Sequence, residues 1–267
     1  MKKIKLWITD IDGTIVNYDG SCTVKMKNTI DKILKTDTKI VLATGRMFMG
    51  ANHAAKRFNI PLPVVCYQGA VVRDEKNVLW QAPVDNKLSR EIIRYLKERN
   101  IHTHVYNDDV LYVEDDNKRI MDLYCGGRGT TYEVVGSFDE IKLNCVAKIL
   151  AVIEDNDLMQ KTKEELSAKY KNILTIVQSS SCYLEITDKN ASKGNALKFL
   201  KEYWNLKDEE IMASGDQDND IDMVKNAGIG ICVGNNSNEL KKIAKYHCRS
   251  VDSDELVKYL EEFILCE

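Results

Sequence analysis

Two carboxylates two residues apart, Asp10 and Asp12, end the apolar run Leu6-Trp7-Ile8 and are followed at once by Gly13-Thr14. A short β-rich apolar run stopped by turn residues has the character of a buried central strand. Both aspartates then stand at a strand's carboxyl end, the edge at which open α/β sheets bind ligands. Carboxylates crowded there repel each other unless a proton or a cation settles the charge. A hard cation that prefers oxygen ligands, such as Mg²⁺, is the simplest candidate. The plainer reading is that one aspartate opens a turn and the other caps a helix.

A second acidic cluster, Gly215-Asp216-Gln217-Asp218-Asn219-Asp220, also follows an apolar run, Ile211-Met212-Ala213. Asp216 is placed to complete a cation site begun by Asp10 and Asp12; the alternative is an acidic cap and first helical turn. A calcium loop of the EF-hand kind is excluded, because its sixth and twelfth positions would be Ile221 and Ala227 where Gly and Glu are needed. Thr44-Gly45-Arg46 closes a third apolar run, Ile40-Val41-Leu42-Ala43, and precedes a helix whose free N–H groups beside the Thr44 hydroxyl suit a phosphate. Lys193, in Ser192-Lys193-Gly194, stands just before another helix. A lone lysine there is ordinarily a solvated surface residue; beside carboxylates and a phosphate it would be a fixed balancing cation. Gly228 to Gly234 has its third glycine misplaced for a dinucleotide fingerprint and enters a strand instead of leaving one, which makes it structural. His102 and His104 share one face of a strand, with no third ligand nearby, so an exposed strand face is expected in preference to a metal pair.

The elements that must position these residues fall into an α/β rhythm at both ends of the chain. Apolar spacing predicts a helix over 24–34, a strand over 39–43, a helix over 47–58, a third strand over 63–67 and a hairpin through 71–80. From about Gln81 the pattern changes to helix 88–99, short alternating strands at 102–106, 110–114, 131–135 and 147–153, helix 158–170, and paired strands 173–178 and 182–186. Past Asp188 the strand–helix alternation resumes to the end. The expected division is therefore an α/β core from residues 1–80 and 188–267, with an α+β unit, 81–187, inserted between them.

A chain of 267 residues has room for two domains. With 38 Lys and Arg against 41 Asp and Glu, the net charge of −3 lacks the basic excess of most nucleic-acid binders. The eight cysteines are scattered without a C-x-x-C pair, which spells neither a zinc site nor a redox motif and reads as reduced thiols. The basic N-terminus is followed by too short an apolar stretch for a signal peptide, and nothing approaches the roughly 20 apolar residues of a membrane span. A cytoplasmic protein without a membrane or nucleic-acid partner is expected, its oligomeric state unreadable.

Taken in order, Asp10-Ile11-Asp12-Gly13-Thr14, Ala43-Thr44-Gly45-Arg46, Ser192-Lys193-Gly194 and Gly215 to Asp220 resemble the four motifs of the haloacid dehalogenase-like superfamily. The long insert between the second and third motifs is similar to that of the Cof-type, cap class IIB phosphatases. The resemblance covers essentially the whole chain. It implies a Rossmann-like parallel-sheet core with an α+β cap acting as a lid that selects substrate. It implies an Mg²⁺-dependent phosphatase acting on a small phosphorylated metabolite, such as a sugar phosphate. Asp10 would be the nucleophile that becomes an aspartyl-phosphate, and Asp12 the general acid–base. The Asp10 carboxylate, the Asp12 carbonyl and the Asp216 carboxylate would hold Mg²⁺. Thr44, Lys193 and Asn219 would hold phosphoryl oxygens, Asp220 would support the metal water or Lys193, and Arg46 would touch substrate. The rivals are a phosphosugar mutase and a non-catalytic phosphometabolite-binding protein. A dehalogenase is disfavoured, having no alcohol leaving group for Asp12 to protonate. Gln68-Gly69-Ala70 and Asp254-Glu255-Leu256 depart from the family's usual Asn-Gly-Ala and Asp-Gly-Val. In the insert, Tyr124, Arg128 and Glu185 are candidates for lining the cleft, while Gly126-Gly127-Arg128-Gly129 reads equally as a turn.

Overall fold

The computed structural model describes residues 3–118, 121 and 131–266. Tyr124, Arg128 and the Gly126–Gly129 turn lie outside the described residues. The chain divides into two compact units, one from residues 1–80 and 192–267, the other from 81–191.

In the first unit the chain runs through β1 (Leu6–Thr9), a helix at Val24–Ile33, β2 (Lys39–Leu42), a helix at Phe48–Arg57, β3 (Val64–Cys66), β4 (Val71–Arg73) and β5 (Val78–Gln81). The second unit contributes a helix at Asn86–Lys97, β6 (His102–Asn107), β7 (Val110–Val113), β8 (Glu133–Val134), β9 (Val146–Val152), a helix at Asn156–Tyr170, β10 (Leu174–Gln178) and β11 (Tyr183–Asp188). Back in the first unit come a helix at Lys193–Tyr203, β12 (Ile211–Gly215), a short helix at Ile221–Lys225, β13 (Ile229–Val233), a helix at Asn238–Ile243, β14 (Tyr246–Cys248) and a helix at Glu255–Leu260.

The first unit is built on a five-stranded sheet in the order β14-β13-β12-β1-β2, parallel at every pairing. Every residue of β1 and of β12 is buried, which is why those segments read as unbroken apolar runs without alternation. Later strands add on one side of β1 and β2 adds on the other, so the order reverses at β1. That switch point is where a crevice opens beyond the strands' carboxyl ends. The register Thr9↔Ser214 brings two residues 205 positions apart side by side, and with them the segments that follow.

The third expected strand meets the end of β2 in the parallel direction but is not a full member of the large sheet. Among the described residues a single parallel bridge, Ala43↔Val65, joins β3 to the large sheet, and β3 pairs antiparallel with β4 in a separate sheet, β3-β4-β5. The reason is the turn between them. Tyr67, Gln68 and Gly69 all have positive φ, 53°, 59° and 99°, and fold the chain straight back on β3.

The second unit's sheet runs β10-β11-β9-β6-β7-β8, antiparallel except for the β7–β8 pair. The helices Asn86–Lys97 and Asn156–Tyr170 cover one face through a core that includes Ile92, Leu96, Val105, Ile149, Leu166 and Ile186. On the other face the structure corrects the expectation of an exposed histidine pair. His104 is fully buried and His102 nearly so, their rings edge to face at 5.1 Å between centroids. β6 lies inside the sheet between β9 and β7, not at an edge. Lys148, also buried, extends its ammonium over the Tyr106 ring and to Glu185, 3.5 Å away. Among the described residues no helix is long and apolar enough to cross a membrane.

Candidate active site

A chain of hydroxyl groups fixes the ends of β1 and β12. The Trp7 indole N–H donates to Ser214 Oγ at 3.0 Å, the Ser214 hydroxyl donates to Thr9 Oγ1 at 2.7 Å, and the Thr9 hydroxyl donates to the Asp10 carbonyl at 2.9 Å. All three side chains are buried. With the Asp10 N–H bonded to the Ser214 carbonyl, Asp10 leaves β1 beside Asp216. Gly13 lets the next turn fit: its φ is +81°, and a Cβ there would lie 2.3 Å from Asp216 Oδ2.

Lys193 is the positive centre of this corner. It opens the helix Lys193–Tyr203, capped by the Ser192 hydroxyl on the Asn195 N–H, and its side chain is fully buried. The solvated surface lysine of the plainer reading is thereby ruled out. Its Nζ lies 2.8 Å from Asp10 Oδ1 and 2.7 Å from Asp220 Oδ1. The second Asp220 oxygen accepts from the backbone N–H groups of Asp216 and Gln217, so Asp220 is committed to holding Lys193 and the turn. Gly69 packs against the same helix start: at φ +99°, its missing Cβ would lie 2.1 Å from the Ser192 carbonyl carbon.

One oxygen each of Asp10, Asp216 and Asp220 lies within 4.8 Å of the others, all three residues buried. Three carboxylates against one ammonium leave two negative charges uncompensated. Burial, opposed by Lys193 and reinforced by the neighbouring Asp220 and Asp216, pushes the Asp10 carboxyl up to about 8. Asp216 is raised as well, chiefly by burial. One oxygen of Asp10 and one of Asp216 lie within 4.8 Å of each other, and two ionised carboxylates that close repel unless a proton or a cation settles the charge. Hard oxygen donors with two excess charges fit a divalent ion.

The remaining residues singled out from the sequence are placed as follows. Asp12 does not join the acidic triad through its carboxylate; both its oxygens accept from the Arg46 guanidinium, at 2.9 and 2.5 Å. Thr44 is buried, its Oγ1 accepting the Arg46 N–H at 3.2 Å and its carbonyl the Gln68 N–H at 3.1 Å. Asn219 is exposed and donates to Gln68 Oε1 at 2.5 Å, which ties the fourth motif to the Gln68 turn.

Three residues around Asp216 were not anticipated. Thr14 donates its hydroxyl to Asp216 Oδ1 at 3.3 Å, and Tyr18 and Asn236 donate to Oδ2 at 2.5 and 3.0 Å. Asn236 follows the carboxyl end of β13, so the strand-end rule that flagged Asp216 could have found it. Tyr18 carried no signal, lying eight residues past Asp10 in a polar loop. Partial burial, reinforced by the Asp216 carboxylate, pushes its phenol up to about 12.

A family model described as haloacid dehalogenase-like hydrolase matches residues 7–260. The chain belongs to that family. Among curated proteins it is similar to the phosphatase YwpJ of Bacillus subtilis (strain 168), 25% identical over 265 residues that cover 90% of this chain and 93% of that protein. Among solved structures it is similar to TM0651 from Thermotoga maritima, with a TM-score of 0.88, 30% identity and 97% of each chain covered. The fold is also that of the subclass IIB sugar phosphatase BT4131, at a TM-score of 0.81 with 20% identity over 97% of this chain and 98% of that one. The protein is thus a phosphatase of the haloacid dehalogenase-like hydrolases, a parallel-sheet α/β core interrupted by an α+β unit.

Proposed function

We propose that this phosphatase hydrolyses a small phosphomonoester, of the sugar-phosphate class or similar, through a phosphorylated Asp10. The observation that carries the reading is the buried Lys193 ammonium, 2.8 Å from Asp10 Oδ1, beside a carboxylate cluster short of two positive charges. An ionised Asp10 attacks phosphorus with the oxygen that is not engaged by Lys193. The ester oxygen departs with a proton from Asp12, and an acyl-phosphate bond joins Asp10 to the phosphoryl group. Asp12, now ionised, takes a proton from water as that water attacks phosphorus and restores the Asp10 carboxylate. Lys193 and the Thr44 hydroxyl hold phosphoryl oxygens, and Asn219 stands at the rim with Gln68. Arg46 releases Asp12 and meets the incoming anion. The Asp10 and Asp216 carboxylates, with the Asp12 carbonyl, would hold Mg²⁺, and Asp220 would keep Lys193 in place. When bound, the ion neutralises phosphoryl charge and orients the attack. The 81–191 unit would supply substrate selection, with Glu185 among its candidates, in a cytoplasmic enzyme.

Phosphate release from a panel of sugar, nucleotide and cofactor phosphates, with Mg²⁺ and with EDTA, tests this. Turnover of small phosphomonoesters that EDTA abolishes is expected. Isomerised sugar phosphate without free phosphate would point to a mutase, and binding without turnover to a sensing protein.

A further inference from the structure

We infer that Tyr18 and Asn236 are positioning residues that leave Asp216 a single acceptor site for a divalent cation and thereby favour Mg²⁺ over Ca²⁺; the inference rests on the reading above that this corner holds such an ion. Each carboxylate oxygen presents about two acceptor directions. Both directions of Asp216 Oδ2 are filled, by the Tyr18 O–H at 2.5 Å and the Asn236 amide at 3.0 Å. One direction of Oδ1 is filled by the Thr14 hydroxyl at 3.3 Å. One acceptor direction remains, on Oδ1.

The direction of the Tyr18 bond is settled by its neighbours. The phenol oxygen accepts from Gln217 Nε2 at 2.8 Å and from Asn236 Nδ2 at 3.3 Å, and its only proton goes to a carboxylate that can only accept. The clamp is built from separate stretches of chain, 13–18 and 217–236, and Gly13 lies against the same Oδ2 so closely that no Cβ would fit. Asp216 therefore cannot turn to offer both oxygens without breaking two hydrogen bonds. Tyr18 is 65% exposed, so its placement is not explained by core packing. Ca²⁺ takes six to eight oxygens and often both from one carboxylate, whereas Mg²⁺ takes a near-octahedral set. A carboxylate held to one free acceptor site suits the smaller ion and handicaps the larger.

The test is calorimetric titration of MgCl2 and CaCl2 into the metal-stripped full chain, as wild type and as Tyr18→Phe, Asn236→Ala and Asp216→Asn, with melting temperatures in EDTA. The wild type is expected to bind Mg²⁺ more tightly than Ca²⁺. Tyr18→Phe is expected to weaken Mg²⁺ by about tenfold, in line with lost partners of metal ligands. Its Ca²⁺ affinity should hold or rise, so that the preference shrinks, with Asn236→Ala shifting it the same way and the EDTA melting temperature of Tyr18→Phe unmoved. An unchanged Mg²⁺ to Ca²⁺ ratio in Tyr18→Phe overturns the assignment while leaving the metal site standing. Equal weakening of both ions together with a lower EDTA melting temperature overturns it too, as the mark of a structural role. Absence of Mg²⁺ binding in the wild type, or full binding in Asp216→Asn, overturns the metal reading itself.

Discussion

Arg46 grips both oxygens of Asp12, Nε on Oδ2 at 2.9 Å and Nη2 on Oδ1 at 2.5 Å. The guanidinium fork matches a carboxylate in shape, and such two-point pairs are among the stronger polar contacts. A carboxyl group cannot hand a proton to a leaving oxygen while both its oxygens accept from arginine. In the proposed mechanism the pair is a resting arrangement, and a phosphate arriving beside it would compete for the same guanidinium.

Replacing Arg46 with Ala should therefore weaken substrate binding more than chemistry. Loss of a charge-assisted contact worth about 1.5–3 kcal/mol corresponds to a rise in KM of roughly 10- to 100-fold. Asp12→Ala should instead lower kcat by about 10²–10⁴-fold, the usual reach of general acid–base catalysis. Steady-state kinetics separate the two. A fall in kcat for Arg46→Ala as deep as that for Asp12→Ala, at unchanged KM, would place Arg46 in the proton transfer.

Asp10→Asn should abolish phosphate release while the protein stays folded, because an amide oxygen is too weak a nucleophile for phosphorus. Phosphate assay alongside circular dichroism checks it. Wild-type turnover in a folded Asp10→Asn protein would remove Asp10 as the nucleophile.

Ser214→Ala should destabilise the protein by about 1–3 kcal/mol, since it strips the buried Trp7 indole N–H of its acceptor. Urea unfolding measures the loss. A change near zero would mean that the hydroxyl chain beneath Asp10 carries no weight in holding β1 to β12.

Burial, with His102 and Lys148 adding to it, pushes His104 down to about 3 from 6.5. The folded state thus resists protonation that the unfolded chain accepts. This stabilisation is complete above pH 6.5 and drains away as pH falls toward 3. Between pH 6.5 and 5 the loss is about 2 kcal/mol, at 1.36 kcal/mol per unit. Urea unfolding at pH 7.5 and pH 5 should show His104→Leu losing less stability on acidification than the wild type by about that amount. Equal losses in the two proteins would refute the buried neutral histidine.

Much of the fold was legible locally. Unbroken apolar runs marked β1, β2, β12 and β13 because strands buried on both faces exclude polar side chains. The antiparallel pairing of β3 with β4 in a separate sheet was not legible from apolar content, because a turn with three successive positive φ angles set it. Nor was the burial of His104, since alternation says which side chains share a face and not whether that face is covered.

By itself, the sequence determined which carboxylates, hydroxyl and lysine stand at strand ends and helix starts, since strand and helix periods are local properties of the chain. Only the tertiary structure decided what each one touches. Lys193 became a buried counterion, Asp12 a partner of Arg46, and Tyr18 and Asn236 two jaws on Asp216. Parallel strands are joined through long crossovers, so the register that brings Asp10 to Asp216 closes a loop of some two hundred residues and is set by packing of the whole sheet, not by neighbours in sequence.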